Sequence, residues 1–548
     1  MRMRGVHLTG VIQCRSMQWK EPNKLVVLMT LHLLWGLVLW FSISKYGLGV
    51  STDGVQQLFG GLNLASGNGL VSYDGGPLIL WPPLYPVLLA LARWITGMQM
   101  LGAAVVVQAA AFIGLALALA VLFLKVFNGD LGLAIAGTVL AQAGSVVVIA
   151  FGMVGADYVH VFLVALILVL TGHYIESGSR RAFVALAGVC ILATMQRYLG
   201  AAAVATAALT VLALARGGFW RRLWNGMVLC STTLPMAVWL GITSQLYTRR
   251  GPISLEENFT WFSRAILEWF LGPISAKRGL EQSIALLWFV LLALVAITLV
   301  DAVRRGEAPP PVQEEGRRPR TSGLPYLFPL LLYGACYTLA LFGSASMAYF
   351  NKLGGRFLLP LYVPVVSLPI LAAGSILRWV KRVGSRLVRT VVVAGCYIAL
   401  AGLAGVVLRI TYPLIIVSHA EGAVGGENAF NTREWNENPS IQFWRDRKSD
   451  GNYVQLSNEP DGVAFHTQHA TRPAPRRTSG PYGTQELPIS GYGPALFGSG
   501  NDVYLVWIEP NPYDHYYGVD ELKAIASVET LFSSESGSVY QLRPLAEQ

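Results

Sequence analysis

A polytopic α-helical membrane protein with a small α/β domain after its last span is the architecture this chain predicts, on three grounds. Long apolar runs recur from Leu25 to Ile410, several of them reaching the roughly 20 residues that a helix needs to cross a bilayer. Only 13% of the 548 residues are charged and 53% are hydrophobic, whereas a soluble globular protein carries about 25% charged residues. Beyond residue 410 the runs stop, and a mixed polar segment, 411–548, carries short helical and strand patterns instead.

The apolar runs divide into about eleven spans, over residues 25–46, 101–124, 131–151, 158–174, 182–196, 199–215, 224–246, 283–301, 324–343, 358–379 and 390–410. The first follows Arg2, Arg4, Arg15, Lys20 and Lys24, as a signal peptide would. It is long for a signal sequence and no small-residue cleavage site follows, so a retained helix is expected. Basic clusters separate later spans: Arg180 and Arg181, then Arg216, Arg221 and Arg222, then Arg304, Arg305, Arg317, Arg318 and Arg320, then Lys381, Arg382, Arg386 and Arg389. Cytoplasmic loops carry the excess of Lys and Arg. That rule puts these clusters and the N-terminus in the cytoplasm and the C-terminal segment outside. The run Pro82–Gly97 is then a helix lying in the outer interface, because a crossing there would turn every later basic loop outward. Its Trp81, Tyr85 and Trp94 suit an interfacial belt.

The resulting division is a transmembrane domain, 1–410, whose first outer loop is 47–100, and an extracytoplasmic α/β domain, 411–548. The net charge of +10 resides in the loop clusters and is not a nucleic-acid footprint. Of the five cysteines, Cys190, Cys230, Cys336 and Cys396 fall in apolar runs and Cys14 near the start, which leaves no disulfide framework and no C-x-x-C spacing. The loop 307–323 is Pro-rich and charged and is expected to be disordered. In the C-terminal domain a helix is expected over Asn431–Arg447 with Thr432 as cap, strands over Tyr453–Leu456 and Val503–Ile508, a helix over Val519–Ala526, and a hairpin over Val528–Leu542.

Candidate chemistry starts at Asp53, just past the first span in STDGVQQLFGG. A carboxylate there suits a general base or a metal-assisting group. Thr52 or Asp53 would also cap a helix carrying Val55, Leu58, Phe59 and Leu62 on one face. Asp157, in GMVGADYVHVF, falls on the same side of the membrane and could share its cavity, or simply cap its own helix. His160 lies one turn further on, lining that cavity or bonding a neighbouring helix. Asp74 in YDGGP reads as a turn residue. Arg197 and Tyr198, in MQRYLGA, stand at the outer face, where an arginine runs against the charge bias. It would bind a phosphate, for which a guanidinium fork is well matched, or pair with Asp157 or Asp53. Arg356 raises the same question, with Lys352 beside it; Lys277 and Arg278 read as solvated. His466 and His469 form an H-x-x-H in the C-terminal domain, a weak metal signal. No GxSxG, Walker A or HExxH motif is present, and the Gly-rich GGLNLASGNG does not follow a strand.

DGVQQLFGGLNLASGNGL, then YDGGP, then WPPLYPVLLAL, is similar to the opening of the GT-C superfamily of integral-membrane glycosyltransferases. The resemblance is greatest to bacterial members related to the protein O-mannosyltransferases and the aminoarabinose transferase of lipid A. It extends to Asp157 before a span, to Arg197-Tyr198-Leu199-Gly200, to Arg356-Phe357-Leu358-Leu359-Pro360 and to NTREWNENPSIQFW, LSNEPDGVAFHT and VYLVWIEP. It implies a bundle with interfacial helices in the first outer loop, in the bacterial plasma membrane. It also implies inverting transfer of a sugar from a polyprenyl-phosphate donor to a lipid, glycan or protein acceptor. Asp53 matches the essential first-loop acid and Asp157 the acid of the second outer loop. Arg197 and Arg356 match positions where basic residues meet the lipid phosphate, with Tyr198, Lys352, Asp74, Trp81, Tyr85 and His160 as further substrate-binding candidates. Two departures stand out: Gly54 replaces a second acid beside Asp53, and Leu80-Trp81 precede Pro82-Pro83 where relatives carry an acid and a lysine. Both bear on whether a divalent metal takes part, which the sequence leaves open. The alternatives are a transporter or flippase for lipid-linked sugars, and a non-catalytic membrane assembly protein.

Overall fold

The computed structural model describes residues 22–78, 80–243, 254–273, 280–306, 323–347, 353–381, 385–422, 429–447, 453–478, 485–498, 500–511 and 513–545. Residues 307–322 of the Pro-rich loop, Lys277, Arg278 and Lys352 lie outside the described residues.

The chain opens with α1 (Pro22–Ile43), whose outer face carries exposed Leu33, Leu37 and Trp40, as expected of a helix solvated by lipid. Next come α2 (Thr52–Ala65) and α3 (Leu84–Thr96), packed on each other and on α4 (Met100–Val126). α5 (Leu131–Ala143) and α6 (Ser145–Gly152) meet at 54°. α7 (Ala156–Ser177) crosses the core, followed by α8 (Arg180–Gln196) and α9 (Gly200–Leu214). α10 (Phe219–Ser231) and α11 (Leu234–Thr243) continue one apolar stretch. The membrane domain closes with α12 (Leu255–Leu271), α13 (Leu280–Gly306), α14 (Leu324–Met347), α15 (Leu359–Val380) and α16 (Arg386–Glu421).

This is a multi-pass membrane protein. Among the described residues, seven helices are long and apolar enough to cross a bilayer, or eight if α5 and α6 count as one span. The expected count of about eleven is not reached by this measure. All eleven predicted segments are helical, but α8 and α9 have 17 and 15 residues, about 26 and 23 Å of helix against a hydrocarbon core of about 30 Å. The apolar part of α13, Gln282–Thr298, is similarly short. α3, with 13 residues, is far too short to span.

Two glycines set the breaks. A Cβ at Gly144 would fall on the ring of Tyr362, whose hydroxyl donates to Leu140 O at 2.9 Å, so α15 seats itself in the α5–α6 bend. A Cβ at Gly200 would fall on the Ala193 carbonyl, so α9 starts flush against the end of α8 with Arg197 in the turn between them.

α16 continues past residue 410 to Glu421 and leads into the C-terminal domain. There α17 (Arg433–Glu437), capped by Thr432, and α18 (Pro439–Asp446) divide the predicted helix at Asn438-Pro439. Strand β1 (Tyr453–Ser457), helix α19 (Pro460–Thr467) and strand β2 (Thr471–Pro473) form a parallel crossover. β3 (Asp502–Ile508) pairs parallel with β1, and β4 (Ala526–Ser534) and β5 (Gly537–Pro544) complete a five-stranded sheet in the order β2-β1-β3-β5-β4. The expected strands and hairpin form. The helix expected over Val519–Ala526 lasts only from Val519 to Leu522, because Ala526 already pairs in β4. His466 Nε2 donates to Phe430 O, 2.7 Å away, and His469 stacks on Tyr453, so the two histidines serve packing.

Candidate active site

The site grows from the joint between α1 and α2. Ser51 caps α2, its Oγ accepting from Gly54 N at 3.4 Å, so the cap is neither Thr52 nor Asp53 and the Asp53 carboxylate is left to other partners. Gly49 N donates to Gly152 O at 2.7 Å and Val154 N to Gly49 O at 2.8 Å. This two-rung bridge ties the entry of α2 to the entry of α7, and so holds Asp53 beside Asp157. Further bonds hold the loop 152–156: Gln108 donates to Met153 O at 2.8 Å, Gln196 to Ala156 O at 3.0 Å, and Gly155 N to the hydroxyl of Tyr85 at 3.2 Å.

The arginines arrive from two other elements. Arg197 leaves the end of α8 in extended conformation, and Arg356 stands in the short 3-10 turn Gly355–Leu358 that precedes α15. Arg356 pairs with Asp53 at 2.5 Å, and Arg197 pairs with Asp157. Phe357 lies between the two guanidinium groups, 5.6 Å from that of Arg356 and 5.9 Å from that of Arg197, within cation–π range. Its own carbonyl accepts from the Tyr337 hydroxyl at 2.8 Å. The side chains of Asp53 and Arg356 are 25% and 44% exposed, against 16% and 19% for Asp157 and Arg197. The first pair is therefore the one an incoming molecule meets.

Both pairs open into one cavity of about 730 Å³. Trp81 and Gln57 line its charged end; α6, α12 and α16 supply an apolar wall with Val146, Ile149, Trp269, Ile410 and Leu414. Of the residues the sequence singles out, Asp53, Asp157, Arg197, Arg356 and Trp81 come together here. The others are placed elsewhere. Asp74 makes its turn, Oδ1 accepting from Gly76 N at 2.9 Å. Tyr85 is fully buried and supports the loop before Asp157. His160 is buried in α7, off the cavity, with no hydrogen-bond partner among the described residues. The Tyr198 hydroxyl points at Leu80 O, 3.5 Å away. Glu268 and Arg409 also line the cavity and were not anticipated. The signal for Arg409 was available, an arginine near the end of an apolar run; Glu268 required recognising α12 inside a segment read as loop.

Among the described residues no three His, Cys, Asp or Glu side chains converge to hold a metal ion. Each site carboxylate is already engaged by a guanidinium, so this donor set does not fit a divalent ion, and no step below passes through one.

The fold has known counterparts. The chain matches the crystal structure of ArnT from Cupriavidus metallidurans with a TM-score of 0.58 at 13% identity, over 94% of this chain and 98% of that one. ArnT bound to undecaprenyl phosphate gives 0.55 at 13% identity, over 94% and 97%. The oligosaccharyltransferase of Archaeoglobus fulgidus in the apo form gives 0.50 at 13% identity, over 90% of this chain and 70% of that one. No family model matches the chain, and no curated protein matches it in sequence. The protein has the fold of the GT-C membrane glycosyltransferases.

Proposed function

We propose that the protein is an inverting glycosyltransferase of the bacterial plasma membrane. It takes a sugar from a polyprenyl-phosphate donor and passes it to a lipid, glycan or protein acceptor at the outer face. The observation that carries this reading is the shared cavity, in which two Asp–Arg pairs meet an apolar wall. The likeness to a fold that binds undecaprenyl phosphate in ArnT supports it.

In this reading the acceptor hydroxyl or amine enters beside Asp53, the more exposed acid. Asp53 takes its proton as the nucleophile attacks the anomeric carbon. The bond from that carbon to the phosphate oxygen breaks, and its electron pair leaves with the lipid phosphate. Positive charge in the cavity stabilises the departing phosphate, a preorganised electrostatic contribution. Asp157 holds Arg197, and Phe357 spaces the two guanidinium groups. The N-terminus and the basic loops face the cytoplasm, and the C-terminal domain covers the site from outside.

The test is transfer by the purified protein in lipid nanodiscs, with release of polyprenyl phosphate followed by mass spectrometry and with envelope glycans compared between wild-type and deletion strains. Asp53→Asn is expected to lower turnover by about 10²- to 10⁴-fold, the usual loss with a general base, with an unchanged melting profile. Full activity in that variant would remove Asp53 from the role. An unaltered envelope together with no release by the wild type would end the transferase reading.

A further inference from the structure

Six charged side chains line the cavity: Asp53, Asp157, Glu268, Arg197, Arg356 and Arg409. Five are spoken for. Arg356 pairs with Asp53, Arg197 with Asp157, and Glu268 accepts from Arg264 at 3.0 Å. Arg409 alone has no carboxylate or hydrogen-bond partner among the described residues. It sits on α16 two residues before Thr411, whose hydroxyl donates at 2.7 Å to Ala143 O beside the α5–α6 bend. Its neighbours Ile410, Pro413 and Leu414 form part of the same apolar cavity wall as Val146 and Ile149 of α6. An ionised side chain in an apolar span is unfavourable unless it meets an opposite charge or water, and such residues mark ligand paths. A guanidinium at the border of an apolar wall fits one ligand chemistry well: a phosphate ester carried on a long aliphatic chain.

We infer that Arg409 is the cation that receives the phosphate of the lipid-linked donor, while Arg197 and Arg356 remain in their pairs and fix the two aspartates. The inference rests on the donor class proposed above and gives it a residue. It also divides labour in the cavity: α16 grips the lipid phosphate, and the first turns of α2 and α7 present the acids.

The experiment uses the full chain in nanodiscs with undecaprenyl phosphate as probe, and with undecaprenol and inorganic phosphate as the neutral-lipid and tail-free arms. Arg409→Gln is expected to raise the Kd for undecaprenyl phosphate at least about tenfold, in line with loss of a charge-assisted hydrogen bond. Binding of undecaprenol is expected to stay the same. In turnover kcat/KM for the donor is expected to fall at least as much as the binding does, because the phosphate that Arg409 holds is also the leaving group. Arg409→Lys, which keeps the charge, recovers most of the binding. Removing an unpaired cation from an apolar span leaves the melting temperature of the ligand-free protein equal or higher, whereas a purely structural arginine would lower it. The rise in melting temperature that undecaprenyl phosphate gives the wild type disappears in Arg409→Gln.

Wild-type affinity for undecaprenyl phosphate in Arg409→Gln would overturn the inference and leave the donor reading intact. Competition by inorganic phosphate as strong as by the lipid would overturn the lipid-phosphate assignment. Failure of the wild type to bind undecaprenyl phosphate at all would remove the donor reading itself, and this inference with it.

Discussion

Asp53 and Asp157 illustrate what a side chain's neighbours in sequence can and cannot say. Their placement at the entries of two helices was legible in the chain, and so was the choice facing Arg197 between a phosphate and an acid. The structure takes the second option at Arg197 and repeats it at Arg356. A charge pattern carries an expectation of sidedness, but pairing depends on helix rotation, which no local pattern specifies. The same limit applies to His160, which is near Asp157 in sequence and off the cavity in space. It applies to Arg409 in reverse, since that residue looks like the fringe of an apolar run until its wall of the cavity is assembled. At the entry of α2 the cap belongs to Ser51, one residue earlier than the expected Thr52 or Asp53. Ser51→Ala is therefore expected to destabilise the protein by about 0.5–1 kcal/mol, as loss of an N-cap does, read as a lower melting temperature. An activity loss as large as that of Asp53→Asn would show that the hydroxyl does more than cap.

At the scale of elements, α3 forms within the run Pro82–Gly97 that the charge alternation left out of the spans, and with 13 residues it is too short to cross. It packs on α2, and Trp94 Nε1 donates to Ala65 O at 3.0 Å. The bend between α5 and α6 was not foreseen; residues 131–151 read as one uniform apolar span. The reason is physical. Gly144 looks unremarkable among small residues, and the space it leaves is taken by Tyr362, far along the chain on α15. Gly144→Ala is expected to lower stability by about 1–3 kcal/mol, the usual cost of overpacking a filled core. Thermal unfolding in detergent would measure it. A variant as stable as wild type would mean that the bend does not depend on this contact. α8 and α9 carry the same lesson, as two helices somewhat shorter than the hydrocarbon core read from hydropathy as two spans.

At the scale of the whole molecule, the C-terminal domain is docked on α2 and the segment that leads into it. Phe430 N donates to Val50 O at 2.7 Å, and Asn431 reaches Leu48 O at 3.2 Å, in the segment leading to Asp53. α19 packs on α2, and its Asp461 hydrogen-bonds Tyr73 and Thr52. Burial pushes the Asp461 carboxyl up to about 6, with the negative charge of Asp53 adding to the rise. Burial pushes that of Glu459 up to about 7. A carboxyl raised on folding contributes stability fully present below its unfolded value and lost as pH rises through the folded one. The docking is thus expected to loosen from about pH 4 to just above pH 7, as pH passes from the unfolded to the folded value of each carboxyl. Burial holds His466 down at about 4, so it works in the opposite sense between pH 4 and 6.5 and offsets part of that loss; above pH 6.5 the carboxyl effect, chiefly that of Glu459, remains alone. Hydrogen exchange across 429–467 is expected to quicken with pH in the wild type beyond the intrinsic rate, and to lose that excess in the Glu459→Gln/Asp461→Asn double variant. Equal excess in both would show that these carboxyls do not govern the docking. Composition and periodicity by themselves determined that this chain is a bundle of apolar helices with an α/β domain at its end, and charge alternation predicted which loops lie together, because burial in lipid acts on every residue of a span and is written along the chain. Which carboxylate meets which guanidinium, where the helices break, and which cation is left unpaired were decided only by packing between segments distant in sequence, since a few ångströms and a rotation about a helix axis separate a partner from a bystander.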